Sequence, residues 1–189
     1  MRPGVCVWAI RYLFIDVTTR VAVSVSIPGV IAERLAERGL DVETYVVDLL
    51  VRALNLDPET AAVARLELAV KYLEEGKALI DRDPVQASEK LYKATEEAVK
   101  ALAVSLQLGD ILKRVEERGG WTATDLDKSA RAIAKKLGEW FRRSWDSAWV
   151  LHVWGFHEAR LDADAVRERA PDVEKMAREA EKLLTSSPP

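Results

Sequence analysis

The sequence predicts an all-α protein, an antiparallel bundle of helices preceded by a small strand–helix–helix appendage. Apolar residues recur at steps of three and four over several long segments after residue 57, which is the periodicity of amphipathic helices. Short loops rich in Asp, Pro and Gly separate these segments. Residues 139–161 contain four of the six tryptophans and both histidines, so this segment is expected to organise the core.

Composition limits the classes of protein that the chain can represent. A length of 189 residues predicts one domain with at most a small addition, and 49% hydrophobic residues supply a core. A net charge of −3 gives no general attraction to nucleic acid or to an anionic membrane. Cys6 is the only cysteine and there are two histidines, so we expect no intrachain disulfide and no structural zinc site. The sequence has no P-loop and no glycine-rich dinucleotide turn, and we expect no bound cofactor.

The amide side chains are few, and this indicates a protein adapted to heat. Asn55, Gln86 and Gln107 are the only amides, whereas 31% of residues are charged.

Residues 5–17 are apolar but short, contain two charged residues and lack a cleavage site, so neither a membrane span nor a signal peptide is expected. They are either an extra strand or an extension of the reading frame before a start near residue 21. We expect a cytoplasmic protein.

The first 56 residues form the predicted appendage. Residues 21–27 alternate between branched apolar side chains and the small side chains of Ala22, Ser24 and Ser26, which predicts a half-buried strand. A short helix over residues 30–38 ends at Gly39, and Asp41 can cap a second helix over residues 42–54. The apolar side chains of that second helix are predicted to face inward: Tyr45, Val46, Leu49, Leu50 and Ala53.

This order of elements resembles the ribbon-helix-helix fold, in which two chains pair one strand each. The resemblance implies a homodimer, and in that family the outward strand side chains contact DNA bases. The corresponding side chains here are Ala22, Ser24 and Ser26, with no Lys or Arg among them, so binding to DNA is not favoured. We therefore interpret residues 1–56 as a dimerisation module, and a DNA-binding, antitoxin-like regulator stays as an alternative.

The bundle is predicted to occupy residues 57–185. Asp57 and Asp83 each stand before a proline, a combination that begins a helix. Gly138 separates the fourth of these helices from the aromatic segment. The predicted helices other than the aromatic one cover residues 57–81, 83–108, 111–117, 122–137 and 171–184.

The aromatic segment, residues 139–161, is predicted to form one helix in the middle of the bundle. Its main apolar stripe consists of Phe141, Trp145, Ala148, Trp149, His152 and Phe156. The opposite side is also hardly polar, and a helix that is apolar nearly all round is normally buried.

The segments ASEKLYKATEEAVKAL, residues 87–102, and LHVWGFHEARLD, residues 151–162, closely resemble the PaREP family of crenarchaeal proteins. The resemblance covers residues 57–184. That family in turn resembles the HEPN superfamily, named for nucleotide binding in higher eukaryotes and prokaryotes. The resemblance implies an all-α, commonly dimeric bundle that acts as a scaffold, binds nucleotide or RNA, or pairs with a small nucleotidyltransferase.

HEPN domains that cleave RNA carry Arg, four to six residues, and then His. Here Arg143 precedes His152 by nine positions, so the motif is absent as written. The first hypothesis is therefore a binding or scaffold domain for nucleotide, RNA or a partner protein. A metal-independent, toxin-like ribonuclease using His157 or His152 with Arg143 is the alternative.

Several residues are candidates for a ligand groove beside the aromatic helix. His157 is the preferred acid–base or ligand-contacting residue, whereas His152 lies on the apolar stripe and is expected to be a buried structural histidine. Glu96 and Lys100 stand four residues apart, as in a solvated helical ion pair. The resemblance implies that this pair faces the groove, where Glu96 polarises a histidine. Trp149 and Glu158 complete the predicted groove.

Overall fold

The computed structural model describes residues 25–185, and in that part of the chain all regular secondary structure is helical. The predicted strand over residues 21–27 lies mostly outside the described residues, and its last three residues have no regular secondary structure. Residues 5–17 also lie outside them. The helices are α1 Gly29–Ala36, α2 Val42–Ala53, α3 Pro58–Leu79, α4 Pro84–Ser105, α5 Gly109–Arg118, α6 Ala123–Leu137, α7 Glu139–Val150, the π-helical segment Leu151–His157 and α8 Ala163–Thr185.

Side-chain caps begin several of these helices, as the sequence predicts. The carboxylates of Asp41, Asp57 and Asp83 each accept a hydrogen bond from the backbone N–H three residues later, at 2.9 to 3.0 Å. Thr122 and Asp125 form a reciprocal capping box at the start of α6. Local sequence therefore fixes where these helices start.

The centre of the bundle is the pair α3 and α4, which pack along each other and against α8. The helices α6 and α7 pack on each other, on α4 and, for α7, on α8. The core contains Leu66, Tyr72, Leu91, Leu102, Ile133, Phe141, Val166 and Met176, all fully buried. None of the helices in residues 25–185 has the length and apolar character that crossing a membrane requires.

The start of the last helix differs from the prediction. Pro171 was expected to open that helix, but it lies inside α8, which starts eight residues earlier at Ala163. The start is fixed by Asp162, whose carboxylate accepts from the Ala165 N–H at 2.8 Å. A proline removes one backbone donor from a helix, and the buried face of Val166, Val173 and Met176 continues on both sides of it.

The helix α2 presents the opposite face from the predicted one. Thr44 is buried and Val47 packs on the core, whereas Tyr45, Leu49 and Leu50 are exposed. The amphipathic stripe exists, but it points away from the bundle. Polar contacts attach the inner face instead: the Tyr72 hydroxyl donates to Asp41 at 2.6 Å.

The aromatic segment is not the buried centre of the bundle that its composition predicts. Phe141 and Trp145 are buried, but 40% of Trp149 and 53% of Trp154 remain exposed. The segment also changes from α-helix to π-helix at Leu151. It lies on the surface of α4 and α8, and on its second apolar side Leu151 is fully buried whereas Trp154 is exposed.

Candidate functional site

The π-helical segment owes its position to a close contact with α4. A Cβ atom added to Gly155 would lie 2.3 Å from the Oγ of Ser88, so only glycine allows this approach. Ser88 is fully buried, and its hydroxyl donates to the Pro84 carbonyl at 2.7 Å. The Glu158 N–H donates to the Val153 carbonyl five residues earlier, as in a π-helix.

This widened turn brings the two histidines of the chain together. The Nε2 atoms of His152 and His157 lie 3.2 Å apart. Residues five apart in an α-helix point about 140° away from each other, because each residue advances about 100°. In a π-helix the hydrogen-bonded pairs are five apart, so side chains at that spacing become neighbours.

Glu89 of α4 fixes the orientation of the first histidine. Its Oε2 lies 3.1 Å from Nδ1 of His152, and both side chains are mostly buried. A carboxylate only accepts, so Nδ1 carries a proton and the Nε2 of a neutral His152 is an acceptor. The His157 Nε2–H then donates to it, which leaves Nδ1 of His157 as a free acceptor on the exposed side.

Aromatic rings surround the histidine pair. The ring of Tyr92 stacks on His152 with centroids 4.0 Å apart, and Trp149 lies 5.6 Å from the same imidazole. Phe156 contacts both histidines. We call these five residues, Tyr92, Trp149, His152, Phe156 and His157, the aromatic surface.

Tyr92 stays a neutral phenol at this surface. Burial raises the pKa of Tyr92 far above its usual range, and the nearby charges of Glu96 and Glu89 raise it further. Its ring therefore serves as an apolar wall for His152 rather than as an acid. Trp149 covers part of that wall, since its ring meets Tyr92 edge to face at 6.1 Å.

The predicted groove residues Glu96 and Lys100 pair with each other and with neighbouring ions. Only 1% of the Lys100 side chain is exposed, and its Nζ lies 3.3 Å from Glu96 and 2.7 Å from Glu97. The solvated pair is therefore corrected to a buried ion pair. The carboxylate that contacts a histidine is Glu89, two helical turns before Glu96.

The buried ion pairs extend into one network that joins α2, α3 and α4. Glu97 also contacts Arg65 at 3.1 Å, and Arg65 contacts Asp48 of α2 at 2.7 Å. Burial alone would raise the pKa of Glu96, but Lys100 and Lys93 outweigh it and lower that pKa to about 2. Because these cations and carboxylates neutralise one another, the network is a structural element.

The structure does not bring Arg143 beside the histidines. Arg143 is exposed on α7, nine residues before His152, which corresponds to about 13 Å along a helix axis. Glu158 follows His157 directly, and its carboxylate accepts from Nε of Arg160 at 3.0 Å. Of the predicted site residues, the structure therefore groups His152, His157 and Trp149, with Glu158 adjacent in the chain.

Sequence reasoning missed Glu89, Tyr92 and Gly155. Glu89 and Tyr92 lie on the α4 stretch that carries the family resemblance. The sequence does not show that both contact His152. The π-turn was missed because five-residue spacing between histidines predicts no contact in an α-helix.

A separate cavity of about 360 Å³ opens between α2, α3 and the loop after α5. Arg52 and Arg65 line it, but Arg52 donates to the Gly119 carbonyl and Arg65 is neutralised by Asp48 and Glu97. Its cations are therefore already engaged. Among residues 25–185, no group of three or more His, Cys, Asp or Glu side chains is arranged to hold a metal ion.

Comparison with known proteins places the bundle in a family. A crystal structure of a Sulfolobus solfataricus protein is similar at 37% identity and a TM-score of 0.59, covering 62% of this chain and 96% of that one. A solution structure of the Orf c02003 protein is similar at 38% identity and a TM-score of 0.56, covering 61% and 90%. No curated protein matches the chain. The profile of the archaeal PaREP1/PaREP8 family matches residues 64–184, and the chain therefore belongs to that family.

Proposed function

We propose that the chain is a homodimeric, HEPN-like binding domain whose aromatic surface holds a nucleobase, as part of a nucleotide or of single-stranded RNA. The observation that carries this proposal is the exposure of Trp149. Its indole is 40% exposed although Tyr92 and Trp145 support it from within the protein. A fixed, exposed aromatic ring is the platform on which unpaired bases stack.

The charges around the aromatic surface favour recognition of a base over general attraction to phosphate. Arg142 lies seven residues before Trp149, hence on the same side of α7 and about 10 Å away along the axis. Its guanidinium already pairs with Asp146 at 3.1 Å. Glu89 adds negative charge beside His152 and Glu158 is neutralised by Arg160, so we expect weak binding with a shallow salt dependence.

Binding is tested with a fluorescently labelled single-stranded RNA followed by anisotropy. We expect Trp149→Ala to weaken binding about five- to 150-fold, because a base–aromatic stack contributes about 1–3 kcal/mol. Trp154→Ala is the matched control, since Trp154 is also exposed but lies outside the aromatic surface. Competition by mononucleotides distinguishes nucleotide from RNA as the preferred ligand. Equal binding by Trp149→Ala and the wild type would contradict the proposal.

The contacts among Glu89, His152 and His157 favour RNA cleavage as a second candidate function. Glu89 contacts His152, and His152 contacts His157. At the exposed end of these contacts, Nδ1 of His157 can accept the proton of a ribose 2′-hydroxyl. The 2′ oxygen would then attack phosphorus, the bond to the 5′ oxygen would break, and water would protonate that oxygen. Such a reaction needs no metal ion.

The cleavage rate is measured on single-stranded RNA in the presence of EDTA, at the temperature at which the protein is most stable. We expect His157→Gln to lower the cleavage rate about a hundredfold or more, the usual contribution of a positioned base, while RNA binding persists. Glu158→Gln is the control because it changes the neighbouring carboxylate but not the histidine contact. Equal cleavage rates for the wild type and His157→Gln would show that His157 does not carry out the cleavage.

The homodimer is supported by the outer face of α2. Tyr45, Leu49 and Leu50 are 37% to 47% exposed there, and Leu54 continues the face at 64%. Clustered exposed side chains of this size are typical of protein–protein interfaces. A second copy fits this face because the same apolar stripe can pair with itself about a twofold axis.

A further inference from the structure

The cavity between α2, α3 and the loop after α5 has the size and the lining of a small-molecule site. Its volume is about 360 Å³, within the range of about 300–1,000 Å³ that is usual for ligand pockets. Large apolar side chains form much of its wall, each of them half-buried: Val51, Leu56, Val104, Leu112, Val115 and Trp121. A wall of this composition favours the apolar part of a ligand over water.

This cavity is separate from the aromatic surface. Val104 lies in the last turn of α4, twelve residues after Tyr92, which corresponds to about 18 Å along the helix axis. The remaining walls come from α2, α3, α5 and the segment Gly119 to Trp121, none of which belongs to the aromatic surface. A ligand of this cavity is therefore independent of the proposed binding of nucleobases.

Arg52 lines the cavity with a charge that is held in place but not neutralised. Its Nε donates to the Asp48 carbonyl at 3.1 Å, and its Nη1 donates to the Gly119 carbonyl at 2.8 Å. Gly119 has a φ of +81°, and a Cβ there would lie 3.2 Å from Nη1, so glycine permits this approach. Both acceptors are neutral, and among the described residues no carboxylate forms an ion pair with Arg52. The guanidinium is therefore a positioned donor for a carboxylate.

The other charged groups of the cavity limit the ligand to a single negative charge. Arg65 is already paired with Asp48 at 2.7 Å and with Glu97 at 3.1 Å. The carboxylate of Glu116 also lines the cavity, so a phosphate ester or a dicarboxylate would be repelled there. Arg52 alone, of the two arginines that line the cavity, has its charge available for a ligand.

We propose that this cavity binds a small monocarboxylic acid whose apolar body has about two rings. A cavity of about 150 Å³ holds benzene, so a volume of about 360 Å³ accommodates a body of that size. The rings lie against Trp121 and the aliphatic wall, and the carboxylate pairs with Arg52. Because Arg52 is exposed, the carboxylate stays near solvent and the cost of burying a charge is avoided.

The test is calorimetric titration of the full chain with 2-naphthoate, with 2-naphthamide as an uncharged ligand of the same shape. We expect the wild type to bind 2-naphthoate about tenfold more tightly than 2-naphthamide, because hydrogen bonds to charged groups are the stronger ones. In Arg52→Gln this preference is expected to vanish, whereas a merely structural role of Arg52 would weaken both ligands equally. Arg178→Gln is the matched control, since Arg178 is an exposed arginine of α8 that does not line this cavity.

Leu112→Trp tests whether the ligand lies in the cavity. Leu112 is half-buried on α5, so the larger indole can extend into the cavity without displacing the core, and both ligands are expected to bind about tenfold more weakly or worse. A wild type that binds neither ligand at millimolar concentration would overturn the proposal. So would equal affinities of the wild type for the two ligands, or 2-naphthoate binding that is unchanged in Arg52→Gln or in Leu112→Trp.

Discussion

Gly155 of the π-helical segment and Ser88 of α4 approach so closely that a Cβ on the glycine would come within 2.5 Å of the serine Cβ. The backbone of Gly155 packs directly on the Ser88 side chain, whose Oγ and Cβ are the atoms nearest to the added Cβ. This contact holds the aromatic segment against α4 at Ser88. The next residue of α4 is Glu89. The contact between the carboxylate and His152 is therefore a direct consequence of the missing side chain at Gly155.

Replacing Gly155 with alanine is expected to destabilise the protein and to separate the histidines. An added methyl group in a packed contact costs about 1–3 kcal/mol, and a Cβ only 2.3 Å from the Ser88 Oγ places Gly155→Ala toward the upper end, above the roughly 1 kcal/mol that alanine gains over glycine as a helix former. Chemical denaturation measures the free energy of unfolding, and imidazole ¹⁵N NMR signals report the contact between His152 and His157.

Gly109→Ala is the matched control, because nothing lies within 4 Å of a Cβ added at that position. It is expected to keep or slightly increase stability. If Gly155→Ala is as stable as the wild type and its histidine signals are unchanged, the close contact does not hold the π-turn.

Glu96→Gln is expected to lower the free energy of unfolding by an amount that depends on pH. Lys100 and Lys93 lower the pKa of Glu96 to about 2 despite its burial, below the value of about 4.3 for an unfolded chain. A lowered pKa stabilises the folded state above the unfolded value, and this contribution is lost as pH falls from about 4.3 to about 2. The variant lacks the contribution, so it should lose about 3 kcal/mol at neutral pH.

Urea unfolding of wild type and variant across pH 2 to 7 checks this expectation, and the two curves should converge at the acid end. Glu37→Gln is the control, since Glu37 pairs with Arg34 on the exposed surface of α1 and contributes little there. A difference between wild type and Glu96→Gln that stays constant over the whole range would contradict the assigned titration.

The helices that begin with a strong local signal could be predicted from the sequence. Asp57 and Asp83 cap α3 and α4 as expected, and Gly138 separates α6 from α7. These features depend on side chains within three or four residues of the helix end, so no knowledge of the fold is needed. Pro171 is the exception, because tertiary packing of α8 overrides its local preference.

The candidate site could be predicted only in part, because its geometry depends on contacts between distant segments. His152, His157 and Trp149 were identified from their chemistry, but the π-turn that joins the histidines depends on Ser88, 67 residues before Gly155. Glu96 is placed in the groove by the family resemblance alone, and its buried partners depend on packing that the sequence does not show. One of the cations in that network is Arg65, which comes from another helix.

The direction of the α2 stripe could not be predicted either, and it leads to the last prediction. An apolar stripe indicates that one face is covered, but it does not say whether the same chain or another copy covers it. In α2 the inner face is attached by polar groups, including the buried pair of Asp48 with Arg65. The apolar face is exposed, and it is the face on which we propose that the homodimer forms.

Leu50→Glu is expected to weaken the proposed homodimer at least tenfold, because it removes an apolar side chain whose burial contributes about 1.5–3 kcal/mol and places a charge in the interface. Sedimentation velocity over a range of protein concentrations measures the dissociation constant. Trp154→Glu introduces the same charge at a residue that is 53% exposed on the bundle, and it should leave the dimer intact. A wild type that stays monomeric at high concentration would contradict the homodimer. If Trp154→Glu dissociates the dimer and Leu50→Glu does not, the two chains meet through the aromatic segment instead of α2.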